Sequence, residues 1–135
     1  MEQLTRDVIL NADDLPKETV AVPEWGGDVI VRTMPADDRD AYELACFHSR
    51  EANEKAGRGD DQNHIRARLT AWTAVDEQGE RIFSDDDVAA LGQKSAAAVQ
   101  RIFAVAQRLN GLGPGDVEEL EKNSQSSPGD DSASA

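Results

Sequence analysis

One segment, from Asp76 to Leu112, constrains the fold more than any other part of the chain, because it carries a complete signal for the start of a helix. Ser84 lies at the expected N-cap and Asp87 follows three residues later, a spacing close to that of a capping box. Asp85 and Asp86 fall in the first turn, where the helix dipole stabilises negative charge. Devices of this kind each stabilise a helix by roughly 0.5–2 kcal/mol. The pattern therefore predicts a helix that begins at Ser84.

The predicted helix is amphipathic over most of its length. Apolar residues recur at spacings of three and four, which is the period of one helix face. They are Val88, Leu91, Val99, Ile102, Phe103, Ala106 and Leu109. Gly92 is a candidate break between a short helix and a long one, and Asn110-Gly111 is typical of a C-cap. The segment displays a helical surface and holds no set of residues that could perform a reaction.

A β-hairpin is predicted near the N-terminus. Residues 19–22 and 29–34 have the composition of strands. Pro23 ends the first strand, because proline cannot donate to a ladder, and Trp25-Gly26-Gly27 supplies a turn. A single hairpin is only marginally stable in water. We therefore expect it to lie on the helices or to pair with another chain.

Two further helices complete the predicted fold. Strong helix formers occupy residues 37–56, and the next helix carries one apolar stripe. The stripe consists of Ile65, Leu69, Trp72 and, more weakly, Val75. We expect a mainly α protein with a small N-terminal β-hairpin (α+β), in which three to five helices pack as a compact bundle. Residues 1–15 form an N-terminal segment, residues 16–122 the hairpin and helical domain, and residues 123–135 a disordered acidic tail rich in Ser, Asp and Pro.

The charge of the chain limits its partners. The sequence has 27 acidic and 14 basic residues, and its formal net charge is −13. Phosphate backbones and anionic lipids repel such a chain, so we expect no nucleic-acid and no membrane binding. No apolar run approaches the ~18 residues of a membrane-spanning helix, and the N-terminus has no secretion signal. Cys46 is the only cysteine, which excludes an internal disulfide and fits a reducing cytoplasm.

No group of residues in the sequence suggests catalysis or a cofactor. Asp85-Asp86-Asp87 could suggest a metal, but consecutive helical residues point ~100° apart and cannot converge on one ion. His48 and His64 lie on different predicted helices and lack a zinc-type spacing. Cys46 could pair with one of them as a nucleophile, yet no oxyanion-hole signal accompanies it, and a buried thiol is favoured. We predict no enzyme, no catalytic residue, no metal and no cofactor.

Two blocks of the sequence carry a family resemblance. The first is the hairpin sequence Val20–Gly27 followed by Val29–Arg32. The second consists of Asp76–Gly79, Ile82–Val88, Leu91-Gly92, Lys94-Ser95 and Leu109-Asn110, and the step Lys122-Asn123-Ser124 into the tail adds to it. In this order and spacing, over roughly residues 15–126, the blocks resemble the tail assembly chaperones of long-tailed (siphovirus-like) bacteriophages.

This resemblance implies a role in virion assembly without enzymatic activity. Such chaperones bind the tape measure protein, keep its long helical segments soluble and help to recruit the tail tube protein. They leave before the mature virion forms, so the expected place of action is the host cell cytoplasm. The resemblance also implies a frameshifted, longer form of the chain as a partner, and a homo-oligomer is a further expectation.

The expected partner contacts are Trp25, Val99, Ile102, Phe103 and Leu109. A tryptophan at a hairpin tip has little local core to enter, so Trp25 either folds back onto the helices or faces a partner. The apolar face from Val99 to Leu109 is expected to contact another subunit or the client.

Two other functions stay open at this point. A structural head–tail or tail component would be present in purified particles, whereas a chaperone would be absent. An acidic DNA-mimic inhibitor would carry its carboxylates in a regular double row on a folded surface. Here much of the excess negative charge lies in the N-terminal part and in the tail, which argues against a DNA mimic.

Overall fold

The structure is a computed structural model in which a small antiparallel sheet packs against a set of helices. It describes residues 2–58, 64–113, 116, 117 and 120. The elements of this part, in chain order, are α1 (Arg6–Leu10), β1 (Lys17–Val22), β2 (Gly27–Arg32), α2 (Ala36–Lys55), α3 (Ile65–Thr73), β3 (Ala74–Val75), α4 (Val88–Leu91) and α5 (Ala96–Leu109). The predicted α+β class is confirmed. The predicted disordered tail lies outside the described residues.

The predicted hairpin is present as β1 and β2. The two strands pair antiparallel along their whole length, and a 3₁₀ turn over Pro23–Trp25 connects them. Gly26 ends this turn with a φ of +80°, a conformation that glycine adopts without the steric cost of a Cβ. The Gly26 amide donates to the carbonyl of Pro23 at 3.1 Å. The turn is therefore short and well defined.

A third strand, β3, differs from the prediction, which placed Val75 on a helical stripe. α3 ends at Thr73, and Ala74 is already extended, with φ −76° and ψ 123°. Ala74 and Val75 pair antiparallel with Val31 and Ile30. The edge of β2 offers these residues a hydrogen-bonded partner, so tertiary pairing overrides the local helical pattern.

The segment with the helix-start signal contains two helices. Ser84 precedes a 3₁₀ turn of residues 85–87, and its amide donates to the Asp87 carboxylate at 2.8 Å. α4 follows directly and has Gly92 as its C-cap. α5 begins after Ser95, whose Oγ accepts a backbone amide of the first turn at 3.2 Å. Gly92 is thus the boundary between a short helix and a long one.

The core lies between the inner face of the sheet and helices α2, α3 and α5. The sheet and the three helices each contribute completely buried side chains, among them Val22, Val31, Tyr42, Cys46, Leu69 and Ile102. Trp72 is buried as predicted and packs edge-to-face with Tyr42, with ring centroids 6.2 Å apart. Beyond α5, Leu112 and Val117 belong to the same cluster.

Two ion pairs join α5 to the hairpin along its length. Arg108 pairs with Glu18 near the start of β1, with an N–O distance of 2.7 Å. Arg101 pairs with Glu24 at the hairpin tip, at 2.9 Å. The hairpin therefore does lie on a helix, which is one of the two arrangements expected from its marginal stability.

The buried side chain of Asn110, at the C-cap of α5, makes a third link between α5 and the sheet. Its Oδ1 accepts from the Met34 amide at 2.7 Å. Its Nδ2 donates to the carbonyls of Arg32 and Ala106 at 3.2 and 2.8 Å. One side chain thus satisfies backbone groups of both the helix end and the strand end.

Candidate partner-binding surface

The apolar face of α5, which the sequence assigns to a partner, lies against the chain's own core. Val99, Ile102 and Phe103 are 6, 0 and 7% exposed, and Leu109 is partly buried against the same cluster. An amphipathic helix has to cover its apolar face, and here the sheet and α3 do so. In this conformation these side chains are not available to a partner, so we place the partner-binding surface elsewhere.

Trp25 is both a core contact and a surface residue. The 3₁₀ turn at the hairpin tip holds its indole half-buried against two apolar clusters. One is the main core, and the other is a smaller cluster around Val88 and Leu91. The same indole lines a groove on the surface. Trp25 therefore folds back onto the helices and still presents part of its ring outward.

A bidentate ion pair fixes the hairpin tip. Arg101 on α5 donates from its two terminal nitrogens to the two carboxylate oxygens of Glu24, at 2.9 and 3.0 Å. The hydrogen bonds from Arg101 hold the pKa of Glu24 at about 2, below its ordinary value of 4.5. The pKa of Arg101 is raised by the same contact. The pair therefore stays charged at neutral pH and keeps the Trp25 turn against α5.

The extended segment 81–83 forms another wall of the groove. Arg81 anchors it, since its Nε donates to the carbonyl of Ala71 at 3.0 Å. The guanidinium of Arg81 also lies over the Trp72 ring, 3.9 Å from the centroid, a favourable cation–π position. With Arg81 held in this way, Ile82 is left 46% exposed.

We call the resulting concavity, of about 400 Å³, the Trp25 groove. It is lined by Trp25, Ile82, Phe83, Asp87, Ala90, Leu91 and Lys94. Concave sites with mostly apolar walls and a few polar groups are the usual form of a binding site. The residues come from the hairpin tip, segment 81–83, and α4 with the residues just before and after it, so the site exists only in the folded chain.

A second, larger groove of about 780 Å³ adjoins the first between α3 and α5, and we call it the basic groove. Leu91 and Lys94 line both grooves, and His64 and Arg66 add further nitrogen groups to the second. Within the described residues, neither Lys94 nor Arg66 forms an ion pair with a carboxylate. On a chain with a net charge of −13, the described residues that line the basic groove include two cations and no carboxylate, which favours an acidic partner.

The N-terminal segment, residues 2–15, is an exposed apolar stretch that the sequence did not reveal as a helix. Its exposed hydrophobic side chains are Leu4, Val8, Ile9, Leu10 and Leu15. Thr5 caps α1 by accepting the Val8 amide at 3.4 Å, and this threonine is the local signal that could have predicted the helix. Large apolar side chains that are exposed together in one short segment favour a protein–protein contact there.

The acidic residues 85–87, just before α4, make local contacts within the chain. Asp85 pairs with Arg81 at 3.2 Å, and Asp87 accepts the Ser84 amide. In the part of the chain that the structure describes, no three His, Cys, Asp or Glu side chains come together in a way that could hold a metal ion. Among the same residues, no helix has the length and hydrophobicity of a membrane span.

Comparison with known families decides what kind of protein carries these surfaces. A family model described as phage tail assembly chaperone matches residues 5–123 of the 135-residue chain. The chain belongs to the phage tail assembly chaperone family. No curated protein and no solved structure matches it. The matched range includes every residue of both grooves of this chaperone, so its protein partners in tail assembly can be sought there.

Proposed function

We propose that the protein binds the tape measure protein during phage tail assembly, keeps its long helical segments soluble and helps to recruit the tail tube protein. It acts in the host cell cytoplasm by binding alone, without catalysis, and is absent from the mature virion. The observation that carries this proposal is the Trp25 groove, an exposed apolar concavity on a member of the tail assembly chaperone family.

The chemistry of the groove suits an amphipathic helical client. Such a helix can lay its apolar face into a hydrophobic groove, and Trp25 and Phe83 offer broad aromatic surfaces that lose little conformational entropy on binding. The pair of Glu24 with Arg101 holds one wall in place before the client arrives, which lowers the entropic cost of association. The net charge of −13 keeps the complex in solution.

Co-expression with the tape measure protein of the same phage tests this proposal. Ile82→Glu places a carboxylate in the Trp25 groove, and Leu44→Glu is the matched control. Leu44 is 55% exposed on α2 and does not line the Trp25 groove, so both variants add one charge at an exposed aliphatic position. We expect wild type and Leu44→Glu to keep the client soluble and to copurify with it, and Ile82→Glu to weaken the complex roughly tenfold.

The possible outcomes test the proposed function and the proposed binding surface separately. If the wild-type protein neither solubilises nor binds the tape measure protein, the proposed function is wrong. If wild type binds the client and both variants bind it as well as wild type does, the client-binding site lies outside the Trp25 groove. The same conclusion follows if both variants lose binding to an equal extent. The same pull-down, probed for the tail tube protein and for a frameshifted longer form of the chain, tests those two proposed partners.

Mass spectrometry of purified phage particles tests the predicted absence from the virion. We expect no peptides of this chain at the level of structural proteins. Recovery at such a level would instead support the alternative role of a head–tail or tail component.

A further inference from the structure

The N-terminal segment lacks a partner within the described chain. α1 has five residues, none of them buried, and isolated helices shorter than ~12–15 residues are marginal in water. A helix this short normally depends on packing for its stability. Its apolar neighbourhood, from Leu4 to Leu15, is instead 42–66% exposed at the large side chains. The segment therefore has the form of an element that packs on another molecule.

The segment is acidic as well as apolar. Residues 2–15 have a net charge of −3, because they contain four acidic residues and one basic residue, namely Glu2, Asp7, Asp13, Asp14 and Arg6. Arg6 and Asp7 pair with each other at 2.8 Å on the surface. Asp13 and Asp14 have no ion pair among the described residues. A matching surface would be apolar with unpaired cations beside it.

The Trp25 groove and the adjoining basic groove provide such a surface. Trp25 and Phe83 supply apolar walls, and Lys94 stands where the two grooves meet. Arg66 lies in the basic groove with its guanidinium carbon 5.8 Å from the centroid of the Phe103 ring. Asp87 also lines the Trp25 groove, so the cations that complement the segment's carboxylates are Lys94, at the junction of the grooves, and Arg66, in the basic groove, whose described lining residues include no carboxylate.

We propose that, as long as no client occupies the Trp25 groove, the N-terminal segment of one copy docks in this groove of a second copy, with its aliphatic side chains on Trp25 and Phe83 and its carboxylates towards Lys94. The occupant comes from another copy because, within one chain, the segment's own side chains stay exposed while the groove stays open. Each copy has one segment and one groove. A one-way contact leaves a free segment and a free groove at the ends, so the copies either exchange segments in a closed dimer or form a larger ring or chain.

Analytical ultracentrifugation of the purified full-length chaperone, without any client, tests this proposal over a range of protein concentrations. Ile9→Asp is the test variant and Leu44→Asp the control. Both sites are exposed aliphatic positions, 52 and 55% exposed, on helices, so neither change disturbs the core. We expect wild type and Leu44→Asp to associate and Ile9→Asp to associate at least roughly tenfold more weakly.

Charge reversal gives a second, independent readout. Lys94→Glu should weaken association roughly tenfold, and adding Asp13→Lys with Asp14→Lys should restore it. Crosslinking between a cysteine introduced at Leu10 and one introduced at Ala90, on differently tagged copies, should give a product between copies.

Three results would overturn the proposal. The first is a monomeric wild type at every concentration. The second is equal loss of association in Ile9→Asp and Leu44→Asp, which would indicate unspecific apolar contact. The third is a crosslink within one copy only, which would place the segment in its own groove. None of these results depends on the tape measure protein, so failure here leaves the client-binding proposal intact.

Discussion

Replacing Asn110 by alanine should destabilise the protein strongly, although Asn110 is a single polar residue near the end of α5. Its side chain links three backbone groups that belong to the end of α5, the end of β2 and the segment just after it. Asn110 is 9% exposed. Water therefore has little access to the groups that the substitution would leave without a partner.

The magnitude follows from these three hydrogen bonds. A net contribution of about 0.5–1.5 kcal/mol for each of the three bonds gives a loss of about 1.5–4.5 kcal/mol in the free energy of unfolding. The upper part of this range applies if the Met34 amide, which donates to Asn110 Oδ1 at 2.7 Å, finds no other acceptor. The ion pairs of Arg101 and Arg108 would still hold α5 to the hairpin, so we expect a folded, weakened variant.

Asn11→Ala is the matched control, because Asn11 is also a helix C-cap and its Nδ2 also donates to a backbone carbonyl four residues earlier, at 2.8 Å. Asn11 is exposed, so its loss should cost no more than about 0.5 kcal/mol. Urea unfolding, followed by tryptophan fluorescence and far-UV circular dichroism, measures both differences at a common m-value.

A cost below about 1 kcal/mol for Asn110→Ala, or equal costs for the two variants, would refute the reasoning. Either result would mean that the links between α5 and the strand end do not depend on this side chain. Arg39, which donates to the Asn110 carbonyl at 3.0 Å, would then be the next group to test.

Two more predictions concern the hairpin tip. The pKa of Glu24 is held at about 2, below its ordinary 4.5, so the pair with Arg101 contributes its full stabilisation above about pH 4.5 and loses it as the pH falls towards 2. The stability gap between wild type and Glu24→Gln should therefore narrow over this range, and a gap that stays constant would contradict the assignment. Gly26→Ala should cost about 1 kcal/mol, because Gly26 has a φ of +80°. Gly27→Ala, beside it in β2 without a positive φ, should cost little; thermal unfolding of the two variants compares them, and equal midpoints would show that the turn conformation is not strained.

Local signals in the sequence predicted much of the fold. The start of the α4–α5 segment at Ser84, its break at Gly92 and the hairpin around Trp25 all depend on neighbouring residues, and the structure has each of them. α1 is a different case, since five residues after Thr5 are too few to give a periodic pattern. β3 has only two residues and exists because the edge of β2 is available to pair with Ala74.

The candidate site could not be predicted in the same way. The apolar pattern of α5 shows that one face must be covered, but it is the same pattern whether the chain's own sheet or another protein covers it. The Trp25 groove brings Trp25 of the hairpin together with Ile82 and Lys94 of the segment Asp76–Leu112, which is far from the hairpin in the sequence. They come close together only through tertiary packing, which cannot be predicted from patterns of neighbouring residues in the sequence.

The position of Val117 has a consequence for the synthesis of the protein. Val117 is fully buried in the same cluster as Val20 and Val22 of β1, so the first strand of the sheet shares one core with a residue beyond α5. During translation the hairpin leaves the ribosome long before α5 and Val117 are made, and a hairpin alone is marginal in water. The hairpin's apolar face is therefore not completely covered until α5 and Val117 have been synthesised. We propose that this protein covers apolar segments of another chain. During most of its own synthesis, its own apolar surface is itself incompletely covered.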